Sequence, residues 1–240
     1  MTEDTFAGRV AERYDETSAE MFAPELVDPV VDFLAWLAGG GPALELGIGT
    51  GRIALPLARR GVEVHGLDRS PDMVARLREK QGGDAIPVTI GDMATTPVDG
   101  TFSLAYVVWN SFMNVGTQEA QAACFRNAAA HLAPRGCLVV ELMLPELQRL
   151  GPGETFLPFD VSPEHLGFDE YDLVGQRLTS HHYYPREGRY ATFPGRYVWP
   201  AELDLMAQLA GLSLRERWGD WRHEPFTSES DSHVSVYEQA

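Results

Sequence analysis

Cysteine is nearly absent from this sequence, which has only Cys124 and Cys137. Neither belongs to a CxxC pair, and neither has a histidine at metal-ligand spacing. That argues against a disulfide framework or a thiolate metal site and leaves two buried free thiols. Lysine is scarcer still, with Lys80 the single example among 19 basic residues. Against 35 acidic residues they leave a formal net charge of −16. An enzyme of polynucleotides needs a basic surface to meet phosphates, so nucleic-acid partners are not expected. The acidity by itself names no substrate, because it also serves solubility. No apolar run approaches the roughly 20 residues that span a bilayer, so no membrane partner is expected either. The opening MTEDTFAGRVAERYDE is acidic and lacks a signal-peptide core, which implies a cytoplasmic protein.

What the chain does have is apolar content enough for one α/β domain: 44% of 240 residues. Residues 5–14 and 25–38 read as helices, the second from Leu26, Val30, Phe33, Leu34 and Leu37 at helical spacing. The run GGGP at 39–42 ends it. Strands and helices then alternate: strand Ala43–Leu46, helix Arg52–Arg60, strand Val62–Leu67, and a helix opened by Ser70 and Pro71. Strands Ile86–Ile90 and Phe102–Val108 follow. A helix capped by Thr117 runs to about Leu132, APRG stops it, and Cys137–Leu144 is a fifth strand. This rhythm predicts a doubly wound, mostly parallel sheet. After Pro145 the rhythm breaks, and 146–199 is too long for an ordinary connection. Within it, Tyr171–Tyr184 and Arg189–Trp199 read as strands around a PREG turn, an antiparallel lid insertion. A helix from Pro200 to Gly211 and closing strands Leu212–Trp218 and Val234–Glu238 bring the sheet to seven strands. The expected organisation is one domain over 1–240, with an N-terminal helical cap at 1–38 and a lid at 146–199.

The densest signal is ALELGIGTG at 43–51, a strand running into a glycine-rich turn and then a helix. Gly47, Gly49 and Gly51 let a ligand lie against bare backbone. Dinucleotide sites use G-x-G-x-x-G, and here the third glycine comes one residue early. Glu45, at the strand end, would repel a pyrophosphate but suits the ammonium end of an amino acid. Asp68 ends the next strand where an acid accepts ribose hydroxyls, with Arg69 beside it. Gly91, Asp92 and Met93 follow the third strand, where a carboxylate can accept an adenine amino proton. Taken alone, each has a bland reading as a turn, a cap or a loop. Together they stand in order at the carboxyl ends of consecutive strands, where open α/β sheets bind ligands.

With these residues in place the sequence resembles the class I S-adenosylmethionine (SAM)-dependent methyltransferases of small-molecule type. The likeness rests on ELGIGTG (45–51), GLDRSPDMV (66–74), GDM (91–93) and FSLAYVVWNSF (102–112), and covers residues 10–145 best. It implies a Rossmann-like fold and SAM as cofactor. It also implies that Glu45 and the three glycines hold the methionine part, Asp68 the ribose, and Met73 the adenine face. Asp92 and Met93 would then read the adenine edge. The pair Tyr14-Asp15 looks like the YD near the start of many such members, where the aromatic closes over the cofactor; helix packing is its other reading.

The acceptor side is less specific. Trp109 and Asn110 follow the fourth strand and should edge the methyl site, with Trp109 or Phe112 facing the sulfonium through cation–π attraction. Core packing is the other reading of both aromatics and the favoured one for Phe112. The segment NSFM lacks the prolines of the amine-clamping motif often found there. Candidate bases are His223, His181 and His182; in a strand, His181 and Tyr183 share one face, and His182 and Tyr184 the other. The alternative for the lid histidines is a dimer strand with incidental surface imidazoles. Trp218, Trp221 and Phe226 are candidate walls of a small-molecule acceptor pocket. A SAM-binding protein that does not methylate is the rival reading, since fold and cofactor do not fix a reaction.

Overall fold

The computed structural model describes residues 6–239; Thr5, where the first expected helix begins, lies outside them. That helix, α1, is Arg9–Thr17. Helix α2 (Pro24–Ala38) starts with proline in its first turn, buries Val27, Val30, Val31, Phe33 and Leu34, and ends at left-handed Gly39. Then come β1 (Ala43–Leu46), α3 (Ala54–Arg59), β2 (Val64–Asp68) and α4 (Pro71–Arg78). Ser70 caps α4 by accepting a hydrogen bond from the Met73 N–H. Next are β3 (Val88–Ile90), β4 (Phe102–Val107), α5 (Gln118–Ala130) and β5 (Leu132–Met143). Thr117 caps α5 through the Ala120 N–H.

A second, antiparallel sheet is inserted here: β6 (Phe156–Val161), β7 (Leu166–Asp172), β8 (Arg177–Tyr184) and β9 (Arg189–Arg196). The chain closes with α6 (Pro200–Leu209), β10 (Leu212–Trp218) and β11 (Ser232–Gln239).

The main sheet has seven strands in the order β10-β11-β5-β4-β1-β2-β3. All neighbours are parallel except β11, which runs antiparallel to both β5 and β10. Helices α2, α3 and α4 bury one face, α5 and α6 the other. Strand β1 is buried at all four positions, as a central parallel strand between two helical layers must be. The order changes direction between β1 and β4, so the crevice for a ligand opens at their carboxyl ends.

The structure corrects three details of the reading. The stretch expected as one strand over 171–184 is two, because Asp172 Oδ1 accepts the Val174 and Gly175 N–H groups at 3.0 and 3.1 Å and turns the chain. Strand β6, which was not expected, makes the insertion four-stranded. Strand β5 starts at Leu132, five residues early, since Pro134-Arg135-Gly136 sits within a register shift against β4 and does not end the element.

The inserted sheet rests on the domain through one face. Leu157, Tyr171 and Leu178 are buried in the same cluster as Phe112, Met113 and Leu142. A Cβ on Gly195 would lie 3.2 Å from that of Met113. At its base the Arg196 guanidinium donates to Gln121 at 2.6 Å, Glu202 at 2.7 Å and Gln176 at 3.2 Å, tying β9 to α5 and α6. Both cysteines are buried free thiols. No helix among the described residues is long and apolar enough to cross a membrane.

Candidate active site

The glycine-rich turn leaves β1 with Gly47 at φ +80°. A Cβ at Gly47 would lie 3.3 Å from Ser111 and 3.4 Å from the Met93 methyl. At Gly49 it would lie 3.4 Å from the Met73 methyl. The turn, α4, the loop after β3 and the loop after β4 thus converge on one spot, and Gly47 leaves the room there. At Gly51 a Cβ would run into Leu77 and Leu55, so that glycine also lets α3 and α4 pack against the turn.

Asp68 Oδ2 accepts the Gly49 N–H at 2.6 Å and Oδ1 the Ser70 N–H at 2.8 Å. These bonds fix the carboxylate against the turn. Arg69 next to it is exposed. Asp92 is exposed, its Oδ1 accepting the Ala94 N–H at 2.8 Å, and Met93 is half-buried. Glu45 is 3% exposed and accepts the Tyr106 hydroxyl at 3.0 Å. Burial pushes its carboxyl up to about 8, against the opposing pull of Tyr106 and Arg52.

Helix α1 covers this end. Asp15 accepts the Thr50 hydroxyl at 2.6 Å and pairs with Lys80, which itself donates to the Thr50 carbonyl at 2.7 Å. The single lysine therefore clamps α1 to the turn. The Gly8 N–H donates to Asp72 at 2.6 Å, and Ser70 donates to the Phe6 carbonyl at 3.2 Å. Burial raises the Tyr14 phenol, with Arg52 opposing and Asp15 and Asp68 adding to the rise. Tyr14 thus lies within electrostatic reach of Asp68.

At the end of β4, Trp109 and Asn110 both hold left-handed backbone, φ +55° and +58°. Glu141 on β5 stabilises the bend: Oε2 accepts the Trp109 N–H at 2.7 Å and Oε1 the Trp221 indole at 2.6 Å. Asn110 Oδ1 accepts the Met143 N–H at 2.6 Å. The Arg52 guanidinium covers the Trp109 ring at 4.9 Å. Phe112 is 1% exposed against Phe125, so it is core.

Residues 43–136 match the family model described as a methyltransferase domain. The solved CcbJ methyltransferase from Streptomyces caelestis is 36% identical, with a TM-score of 0.87 over 100% of both chains. The cypemycin N-terminal methyltransferase of a Streptomyces species is 27% identical over 94% of this chain and 97% of its own. CalS10, an amino pentose methyltransferase from Micromonospora echinaspora solved with SAM bound, shares the fold: TM-score 0.69, 21% identity, 99% and 100% coverage.

This chain is a class I SAM-dependent methyltransferase.

In the methyltransferase, the three candidate bases do not come together. His181 lies on the outward face of the inserted sheet, stacked on Phe168 at 4.7 Å, with Glu170 at 3.1 Å and Tyr190 also bonded to it. Tyr183 shares that face. His223 packs on Phe33 and Trp218 at 5.0 and 4.9 Å, on the flank covered by α2 and away from the inserted sheet. Trp218 and Trp221 pack against that same α2-side cluster. His182 faces inward, beside Phe193 at 5.3 Å. Phe193 in turn meets Phe6 at 6.0 Å, and Glu187, in the turn after β8, pairs with Arg13 at 3.0 Å. The inner face therefore spans from Met113 to α1, across the mouth above the glycine-rich turn. A cavity of about 670 Å³ opens at the carboxyl ends of β5 and β10, lined by Leu144, Glu146, Trp199, Phe226 and Asp231 among others. Among the described residues no cluster of His, Cys, Asp or Glu is arranged to hold a metal ion.

Sequence reasoning missed Thr50, Lys80, Arg52 and Glu141. Each acts on a partner at least 30 positions away, as in Thr50–Asp15 and Trp221–Glu141, and no local pattern announces such a pairing.

Proposed function

We propose that the methyltransferase moves a methyl group from SAM to an amino nitrogen of a small, neutral or cationic acceptor. The residues present fit the cofactor: a Cβ at Gly47 would fill the cradle between Ser111 and Met93, and the Asp68 carboxylate is fixed against the same turn by the Gly49 and Ser70 N–H groups. In this reading Asp68 accepts the ribose hydroxyls, Met73 packs on the adenine, and Asp92 with Met93 reads its edge. Glu45 acts from beneath the turn, fixing Tyr106 and the start of α3. Tyr14, held through its neighbour Asp15, covers the cofactor. Bound SAM supplies an electrophilic methyl on a sulfonium.

The protein's part is to orient the acceptor in line with that methyl, exclude water and keep the nitrogen lone pair free. Within one domain, the N-terminal cap expected over 1–38, described from residue 6 on, covers the cofactor, and 146–199 close over the acceptor. Nitrogen as the acceptor atom is supported by the cypemycin enzyme, whose name specifies an amino terminus. The net charge of −16 supports it too, because such a field draws in an ammonium and repels polyanions.

The observation that carries the reading is the convergence of Gly47, Met73, Met93 and Asp68 beneath α1, facing the inner side of the lid. The test is S-adenosylhomocysteine release with glucosamine, glycinamide and benzylamine, beside glucose, glycolamide and benzyl alcohol. Turnover confined to amines is expected; turnover of the alcohols alone contradicts the choice of nitrogen.

A further inference from the structure

Strand β5 runs between β4 and β11, and loops from both sides end on one of its carboxylates. Glu141 lies near the carboxyl end of β5, opposite Val234 of β11. Its Oε2 accepts the Trp109 N–H at 2.7 Å and its Oε1 the Trp221 indole N–H at 2.6 Å. The first donor belongs to the bend after β4, where Trp109 and Asn110 hold left-handed backbone one after the other. Such backbone is disfavoured for L residues, a bulky aromatic above all, and persists where the surroundings enforce it. Here Glu141 holds the Trp109 N–H, the Met143 N–H holds the Asn110 side chain at 2.6 Å, and Arg52 covers the Trp109 ring. The bend delivers Ser111 to the glycine-rich turn, where a Cβ on Gly47 would lie 3.3 Å from that of Ser111. It therefore sets one wall of the cofactor cradle.

The second donor belongs to the loop between β10 and β11. A bridge between Trp218 and Pro225, and the Gly219 N–H on the Glu224 carbonyl at 2.7 Å, close its first half into a tight unit. Inside it, Asp220 Oδ1 accepts the Arg222 and Glu224 N–H groups at 2.7 and 3.1 Å. Trp221 projects from that unit onto Phe33, with ring centroids 5.5 Å apart. The second half of the loop, Phe226 to Asp231, lines the cavity of about 670 Å³. One carboxylate thus joins a wall of the cofactor cradle to a loop that walls the cavity. Both of its partners are donors, so the task needs two accepting oxygens. An amide offers one and turns an NH2 toward the other donor.

We infer that Glu141 is a positioning residue of the methyltransferase, holding the Trp109–Ser111 wall of the cofactor cradle in register with the loop that lines the cavity. It acts through Trp109 and Trp221. The inference rests on the cradle reading above. Coupling between two sites is reciprocal, so filling the cradle is felt at Trp221, and what fills the cavity is felt at the bend. A glutamate that served only the fold would hold both loops alike whether the cradle is full or empty.

The test uses the full chain with SAM as the probe. In nitrogen–proton NMR spectra the Trp221 indole N–H, assigned by its loss in Trp221→Phe, should shift when SAM is added. Glu141→Leu removes both accepting oxygens at similar size. By calorimetry it should weaken SAM binding by about tenfold, at the low side of a hydrogen bond to a charged acceptor, and its indole signal should ignore SAM. Glu141→Gln should lose less. Adding Trp221→Phe to Glu141→Gln should cost nothing further, because the new ring has no N–H to face the amide. Thermal melts show which variants are folded at the measuring temperature. Unchanged SAM affinity in Glu141→Leu, or a wild-type indole that ignores SAM, overturns the inference even where the melting point falls, since a structural role alone would lower it. If Glu141→Leu does not fold, the Gln pair decides: wild-type affinity in Glu141→Gln, or losses that multiply in the double variant, overturn the inference. If the wild type binds no SAM, the cradle reading fails and the inference with it; binding that ignores Glu141 sinks the inference alone.

Discussion

Strands β1 and β4 bury every side chain from Ala43 to Leu46 and from Leu104 to Val107, whereas β6, β7 and β8 bury only Leu157, Gly167, Tyr171 and Leu178. The main sheet is therefore a packed scaffold, and the cofactor groups proposed above are loop ends fixed by backbone hydrogen bonds, as Asp68 is by Gly49 and Ser70. The inserted sheet is half solvated, and its inner face is built of side chains bonded to one another. The difference teaches where each task belongs. On the proposed reading, cofactor geometry sits on the rigid part and acceptor chemistry on the part with least burial and most freedom to change.

The most disruptive way to break that division is at the joint. Arg196 is 6% exposed and holds Gln121, Gln176 and Glu202 together. Arg196→Ala removes these three bonds and leaves Glu202 only the Gln118 and Gln176 amides, and should cost about 1.5–3 kcal/mol in urea unfolding. A loss below 1 kcal/mol would mean the insertion is held by its apolar contacts alone. On the scaffold, Asp68→Ala should weaken SAM binding by about 1.5–3 kcal/mol, the worth of hydrogen bonds to a charged acceptor, as read by calorimetry. Unchanged affinity would remove Asp68 from the site.

Glu45 gives the scaffold a pH signature. Its folded value of about 8 lies above the ordinary 4.5, so the folded state prefers the proton. Below 4.5 both states hold it and nothing is gained or lost. Between 4.5 and 8 stability falls as pH rises, by up to about 1.4 kcal/mol per pH unit, and above 8 the slope vanishes. Glu45→Gln should flatten that window in denaturation midpoints measured at pH 5 and pH 8. A parallel decline in both proteins would place the slope elsewhere. The smallest effect belongs to the outward face of the lid. His181→Ala should leave kcat nearly untouched and cost about 1 kcal/mol of stability, since it removes the contacts to Glu170, Tyr190 and Phe168. A tenfold drop in turnover would mean that the outward face serves catalysis.

The scaffold was legible because its elements announce themselves locally: the wholly buried β1 and largely buried β4, Ser70 and Thr117 as caps, Gly39 as a stop. The insertion was only half legible. Leu173 and Val174 read as strand residues, yet they are 52% and 98% exposed at a turn made by Asp172. Strand β6 carries Pro158 and alternates poorly, so its pairing with β7 comes from tertiary contact. Strand alternation separated His181 from His182 but gave no sign of which faced inward. That choice was made by Leu157, Tyr171 and Leu178, whose burial orients the whole sheet. The row Asp160–His165–His182–Ser180 was invisible because it crosses strand pairings that one sequence does not display.

The division of labour is tested most directly by amide hydrogen exchange of the full chain with and without SAM. Binding should slow exchange at residues 45–51, 66–74, 91–94 and in α1, and leave β6–β9 nearly unchanged until an acceptor is added. Protection by SAM throughout β6–β9, with none at the glycine-rich turn, would contradict the account.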